Sequence, residues 1–226
     1  MFSSGASEVR ERPDTVGWRS VATAIHSMRQ LPMPMLLTVV SSDCEPLWVD
    51  FSTGRYYWER PLVAMPERPA GVTVYSQPIE PGNPPYPWVS WRSMDPLLWQ
   101  IGRFAFGTDR ATWMRPGDRY ALQRWPNLTE IPHTADEIRM IATLANGYLT
   151  AGELALLSAT DEPTAQRVLN MLSLMGAVKP AAGPLAPPAI VARVQAQPRP
   201  AQPATASAPT SFGFFSRLRE RLTGGR

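Results

Sequence analysis

The sequence has little of the chemistry that disulfide-rich and membrane-spanning proteins need. It contains one cysteine, Cys44, together with two histidines and one lysine. A single cysteine excludes an internal disulfide framework and is consistent with a reducing compartment. No apolar run approaches the roughly 20 residues that a transmembrane helix requires, and the N-terminal segment lacks the basic-then-apolar pattern of a signal peptide. We therefore expect a cytoplasmic protein.

Motifs for catalysis and cofactor binding are also missing. The sequence has no Gly-x-Ser-x-Gly elbow, no Walker loop and no Gly-x-Gly-x-x-Gly motif, so neither a hydrolase triad nor a phosphate cradle is indicated. His26, His133 and Cys44 do not show the close paired spacing of structural zinc ligands. We predict no enzymatic activity, no cofactor, no metal ion and no small-molecule substrate.

Positive charge is concentrated at the C-terminal end. Residues 181–226 carry six arginines and one acidic residue, a net charge of +5, which leaves −2 for residues 1–180 out of the total of +3. Residues 181–210 include seven prolines and no apolar periodicity, a composition typical of a disordered linker. The basic character of the chain therefore belongs to its tail.

The final segment, 211–226, has the pattern of a short amphipathic helix. Its apolar side and its arginines are formed by Phe212, Phe215, Leu218 and Leu222 and by Arg217, Arg219 and Arg221. A helix this short is marginal in water on its own, so we expect it to order against a groove of a partner protein or an anionic membrane surface. A frayed terminus is the remaining interpretation.

The front half predicts a small α+β domain over residues 15–126, after a flexible N-terminus at 1–14. Helical spacing of apolar residues begins at Trp18, and a second helix begins at Asp95. The predicted strands are 35–41, 47–51, 55–59, 71–76 and 119–124. Residues 77–87 hold too many prolines for a sheet interior and predict an exposed loop. Trp88 and Trp91 beside that loop are a candidate partner-facing patch.

Residues 127–180 predict a three-helix, winged-helix-like domain. Thr134 with Glu137 and Thr150 with Glu153 have capping-box spacing, and Pro163 opens a third helix at its tolerated first position. A short strand or wing follows at 177–179. We expect the third helix to expose the polar residues Thr164, Gln166, Arg167, Asn170 and Ser173.

Charge on this segment does not favour DNA. Five acidic residues stand against three basic ones between Thr134 and Pro180. A helix–turn–helix that binds DNA needs cations for phosphates and polar side chains for base edges. The pattern therefore favours contact with protein, with a DNA-binding transcriptional regulator as the alternative.

A second alternative is a cyclic di-GMP-responsive effector. The segment Asp50-Phe51-Ser52-Thr53-Gly54 resembles the Asp-x-Ser-x-x-Gly strand of PilZ domains, although it is one residue short. Arg10 and Arg12 are closer together than the arginine pair of that family. A hairpin turn explains the same residues equally well.

Residues 120–180 resemble the helical C-terminal part of PATAN-type modules. The resemblance depends on Leu122-Gln123-Arg124, Ile131-Pro132-His133-Thr134, Asn146-Gly147, Leu154 and 169–176. Asn146 departs from the aspartate that is frequent in the family, and the front half shows no match. These modules occur in bacterial response regulators and in signalling proteins of gliding and type IV pilus motility, and the resemblance implies no catalytic residues.

The combined prediction is a non-enzymatic cytoplasmic adaptor in bacterial signalling. The resemblance implies a role in surface motility, with a small GTPase or a response regulator as the protein partner. The tail is the part of the chain that would bind this partner or recruit the protein to the inner membrane.

Overall fold

A five-stranded antiparallel sheet forms one side of the molecule. The computed structural model describes residues 17–79 and 90–183. The strands are β1 (Met35–Ser41), β2 (Cys44–Asp50), β3 (Arg55–Tyr57), β4 (Thr73–Pro78) and β5 (Arg92–Ser93), in the order β4-β1-β2-β3-β5. Leu37 and Val39 of β1 and Val49 of β2 point into the core. This alternation of buried side chains matches the two-residue period of a strand with one face on the core.

Helices share one core with the sheet, and the first two of them contact its strands directly. They are α1 (Trp18–Met28), α2 (Met94–Ala105), α3 (Ala135–Leu144), α4 (Ala151–Ser158) and α5 (Glu162–Leu174), and a short 3-10 turn lies at Leu62–Ala64. Trp18 anchors α1 because its indole N–H donates to the carbonyl oxygen of Pro66 at 2.6 Å. The predicted α+β class is confirmed.

The predicted capping boxes are confirmed, and α5 begins at Glu162, one residue before the predicted Pro163. Both capping boxes are present, with the side chains of Thr134 and Thr150 accepting from the amides of Glu137 and Glu153. Asp161 caps α5 by accepting from the amide of Thr164 at 2.7 Å, and proline lies in the first turn of that helix. Local hydrogen bonding therefore sets where these three helices begin.

One continuous core includes residues from both predicted domains. Buried side chains of α1, α2 and the sheet are in the same hydrophobic cluster as those of α3, α4 and α5, and all the described residues belong to one compact unit. At Gly102 the backbone of α2 lies directly on Met171 of α5. The predicted boundary between residues 126 and 127 therefore does not separate two cores.

A second, two-stranded sheet pairs β6 (Tyr120–Leu122) with β7 (Val178–Pro180). Leu149, between α3 and α4, adds a bridge to Tyr120. The strand predicted after the third helix is present, but its partner comes from before the three helices and not from a following wing strand. The winged-helix assignment remains a prediction.

Several predictions lie outside the described residues. These are the flexible N-terminus at 1–14, Trp88, almost all of the linker at 181–210, and the tail residues at 211–226. Among the helices that the structure describes, none combines the length and apolar character needed to cross a membrane.

Candidate functional site

Helix α5 is largely buried, although it belongs to residues 127–180, which are predicted to contact protein partners. Asn170 has 0% of its surface exposed, and Thr164, Gln166, Arg167 and Ser173 are half-buried. The prediction that these residues form an exposed polar face is wrong. The reason is that the segment 106–118, which follows α2, packs over this side of α5.

Asn170 joins α5 to the covering segment through a buried hydrogen-bond network. Its amide nitrogen donates to the carbonyl oxygen of Asp109 at 2.7 Å, and its side-chain oxygen accepts from the amide of Ala111 at 3.1 Å. That oxygen also accepts from the side chain of Gln166 at 3.0 Å. Because buried polar groups are costly when unpaired, this network fixes segment 106–118 on α5.

The C-terminus of α5 is held by two arginines from distant elements. Arg29 donates to the carbonyl oxygen of Leu174, and Arg124 donates to that of Met175 at 2.9 Å. Cations at this end of a helix are favoured by its dipole and by the unpaired carbonyl groups there. Gly176 follows with φ 61°, and a Cβ at that position would overlap the guanidinium of Arg29. Glycine is therefore favoured by the backbone conformation, and a larger residue would displace the guanidinium of Arg29.

Asp95 completes this cluster. Its carboxylate accepts two hydrogen bonds from Arg124, both at 2.7 Å, and one from the amide of Asn127 at 3.1 Å. Burial raises the pKa of Asp95, but the hydrogen bonds from Arg124 and Asn127, together with the charges of Arg124 and Arg29, leave that pKa below its ordinary value. The carboxylate is therefore a structural partner of Arg124 and is not a free acid or base.

A cleft of about 550 Å³ opens beside the C-terminus of α5. One wall is a stacked aromatic pair: the rings of His26 and Trp113 are 4.2 Å apart and 5° from parallel. The indole N–H of Trp113 donates to the hydroxyl of Ser173 at 2.7 Å, and Gln30 lies 2.9 Å from the ring nitrogen of His26. Burial, with the nearby charge of Arg29, lowers the pKa of His26, so its imidazole is mostly neutral at pH 7.

The cleft also carries charge. Arg29 and Arg115 line it together with Asp118 and Tyr120. Asp118 is already engaged, because it accepts from the hydroxyl of Tyr120 and the amide of Arg115, each at 3.1 Å. Burial and the charge of Asp118 raise the pKa of Tyr120 well above its ordinary value, so the phenol remains protonated. Within the described residues the side chain of Arg115 has no ion pair or hydrogen bond, and the lining has one more cation than anion.

This arrangement offers groups that can bind an anion. Its neutral imidazole, protonated phenol and engaged carboxylate offer hydrogen bonds, and its arginines attract a carboxylate or another oxyanion. Within residues 17–79 and 90–183, no group of three or more His, Cys, Asp or Glu side chains is arranged to hold a metal ion.

Sequence reasoning missed this cleft. Its residues come from α1, segment 106–118, the end of α5 and the second sheet, and no motif or spacing connects these four parts of the chain. The one available signal was the nearly continuous apolar run at 168–172, which has too few polar residues for a helix with one exposed face.

The predicted site residues lie elsewhere. Trp91 is half-buried beside β5, with its ring 6.4 Å from that of Tyr57 in an edge-on contact. Trp88 and the tail residues Phe212, Phe215, Leu218, Leu222, Arg217, Arg219 and Arg221 are outside the described residues. Among the described residues, therefore, none of the predicted site residues lines the cleft.

Asp50 has a structural explanation. Its carboxylate accepts from the amide and hydroxyl of Ser52 at 2.7 and 2.6 Å and from the hydroxyl of Thr53 at 2.8 Å. These bonds form the turn between β2 and β3, as an aspartate at the start of a turn commonly does. Arg10 and Arg12, the other half of the PilZ resemblance, lie outside the described residues.

Comparison of the chain with protein-family models, with curated proteins and with solved structures finds no match.

Proposed function

We propose that this protein is a non-enzymatic adaptor that acts in bacterial signalling through protein contacts. The observation that carries this proposal is the burial of α5. A helix–turn–helix protein inserts its recognition helix into the major groove, whereas α5 is enclosed by α2, α4 and segment 106–118. Together with the acidic excess on this part of the chain, this enclosure argues against DNA binding through α5.

The cleft beside α5 is the proposed contact site on the body of the protein. Arg115 and Arg29 favour an acidic side chain of the partner, and the His26–Trp113 pair supplies an adjacent flat surface. Aromatic and arginine side chains of this kind contribute strongly to protein interfaces. The tail at 211–226, with four arginines and one acidic residue for a net charge of +3, is the proposed second attachment.

The finer assignment depends on the PATAN resemblance. On that basis we propose a cytoplasmic role in type IV pilus or gliding motility, with a small GTPase or a response regulator as partner. Recruitment of the tail to the inner membrane is part of the same proposal, because a basic amphipathic segment is attracted to anionic lipid.

The first test measures DNA binding without the basic tail. A variant that ends at Val191 is titrated with a random-sequence DNA duplex at about 50 mM salt and followed by fluorescence anisotropy. We expect no saturable binding with a Kd below about 100 µM. The reason is that α5, the helix that would have to enter the DNA groove, is covered, and residues 1–180 carry a net charge of −2. The full chain is the control, and its tail is expected to give weak, salt-sensitive binding. A micromolar, salt-sensitive Kd for the shortened variant would contradict the proposal and favour the transcriptional regulator.

The second test asks where the partner binds. Tagged wild-type protein is recovered from the native cell beside Arg115→Glu and a variant lacking residues 211–226, and bound proteins are quantified. Reversing the charge at Arg115 is expected to reduce recovery of the main partner about tenfold or more, which corresponds to about 1.4 kcal/mol.

Arg55→Glu is the matched control, because Arg55 is exposed on β3 and does not line the cleft. Unchanged recovery with Arg115→Glu would exclude the cleft as the contact site. Unchanged recovery after deletion of the tail would exclude the tail as an attachment.

A further inference from the structure

Strand β4 is an edge strand with little protection among the described residues. It lies at the end of the five-stranded sheet, and its residues from Tyr75 to Pro78 are exposed, with Tyr75 at 59%. No charged residue occurs from Ala70 to Ile79, and the six residue pairs with β1 run without a bulge. Proteins commonly protect such edges with charges, bulges or proline, and here proline at position 78 is the only one of these devices present on the strand.

The hydrogen-bonding direction of each residue on β4 can be deduced from its neighbours. The amide of Ile79 donates to the carbonyl oxygen of Pro34, directly opposite it. Because backbone groups alternate along an antiparallel strand, Thr73, Tyr75 and Gln77 also face β1. On the side of β1 that faces β2, the amide of Phe51 donates to the carbonyl oxygen of Met35. This bond agrees with the same alternation.

The outward-facing backbone groups therefore belong to Val72, Val74, Ser76 and Pro78. The first three offer an amide donor and a carbonyl acceptor, whereas Pro78 offers only its carbonyl. Within the described residues, no hydrogen bond reaches the backbone of Val72, Val74 or Ser76 from this side.

We propose that β4 pairs antiparallel with β4 of a second copy of this chain, around a two-fold axis at Tyr75. In that register Val74 faces Ser76 of the other copy, and each such pair exchanges two hydrogen bonds. Val72 faces Pro78 of the other copy, whose carbonyl accepts the amide of Val72, while the carbonyl of Val72 receives no amide in return because proline lacks one. The two sheets become one ten-stranded sheet, with the two copies of Tyr75 side by side as a closely spaced pair.

A second copy fits this edge better than a charged peptide does. The strand is neutral over its whole exposed length, so two copies meet without repulsion, and a charged peptide would find no complementary charge. The outward groups are also arranged symmetrically about Tyr75, as a two-fold interface requires. This inference does not depend on the proposed adaptor function, since it uses a different surface.

The test is the oligomeric state of the full chain by sedimentation velocity between about 10 µM and about 1 mM, the range expected for so small an interface. We expect a concentration-dependent dimer. Ser76→Pro removes one outward amide from each copy while leaving the bonds to β1 intact, and it should weaken dimerisation at least tenfold. Ser76→Ala is the matched control and should dimerise like the wild type.

A second variant and a local probe separate this interface from any other. Tyr75→Lys places two lysines opposite each other and should also give a monomer, whereas Tyr75→Phe should not. Hydrogen exchange at the amides of Val74 and Ser76 should slow as concentration rises. A monomer at every concentration, or a dimer that persists in both Ser76→Pro and Tyr75→Lys, would overturn the proposal.

Discussion

Replacing Glu153 by alanine is expected to lower the free energy of unfolding by about 3–5 kcal/mol. The Glu153 carboxylate accepts hydrogen bonds from Arg119 at 2.6 and 2.7 Å and from the amide of Thr150 at 2.9 Å. Only 13% of the Arg119 side chain and 10% of the Glu153 side chain are exposed. Removing the carboxylate leaves a buried guanidinium without its counter-ion and also removes half of the capping box of α4.

The measurement is equilibrium urea denaturation of the full chain, followed by tryptophan fluorescence. Asp136→Ala is the control, because it breaks the Arg139–Asp136 ion pair, whose side chains are 51% and 55% exposed. Exposed pairs of this kind contribute about 0–1 kcal/mol, so this variant should unfold close to the wild-type midpoint.

A double variant tests the reason for the loss. Arg119→Met combined with Glu153→Gln removes both charges and keeps side chains of similar length. It should be more stable than Arg119→Met alone, because the remaining carboxylate is no longer buried without a partner. An equal loss of unfolding free energy for Glu153→Ala and Asp136→Ala would show that burial does not strengthen the Arg119–Glu153 pair.

Local elements were predictable from the sequence where the determining interactions are local. Each capping box of α3 and α4 lies within four consecutive residues, and β1 spans the residues 35–41 predicted for it. The arginines that bind the capping glutamates were not predictable. Arg103 and Arg119 reach Glu137 and Glu153 from 34 positions earlier in the chain, and no local pattern marks such a pair.

The predicted exposed face of α5 was wrong because residues 127–180 were treated as a unit with its own surface. Asn170 looked like a surface residue because asparagine is usually exposed, yet segment 106–118 supplies its hydrogen-bond partners. A polar residue inside an apolar run can be either exposed or buried with hydrogen-bond partners, and sequence alone does not distinguish these two environments.

The same long-range packing determines what could be predicted of the candidate site. Arg29, Trp113 and Arg115 were visible only as residues of a helix and a loop. They become a cleft because Arg29 binds the end of α5 and because Trp113 is fixed by Ser173. The site is therefore a consequence of how the two halves of the chain pack, and it should be sensitive to any change that separates α2 from α5.

Gly102→Ala is expected to push α2 away from α5 and to destabilise the protein by about 1–3 kcal/mol. Alanine is favoured over glycine inside a helix by about 1 kcal/mol, so helix propensity alone predicts the opposite sign. Packing decides the outcome, because the new Cβ would lie 2.9 Å from the Cα of Met171. A backbone atom cannot relieve the overlap by a rotamer change, as a flexible side chain can, so α2 and α5 must move apart.

Gly152→Ala is the matched control within the same fold. Gly152 is also helical, but a Cβ there would lie 3.7 Å from the carboxylate of Glu162, an ordinary contact. This variant should equal or exceed the wild type in stability, by up to about 1 kcal/mol. Urea midpoints for the two variants should therefore shift in different directions. If Gly102→Ala stabilises the protein as much as Gly152→Ala does, α2 and α5 are not in backbone contact and the single core described for this chain is wrong.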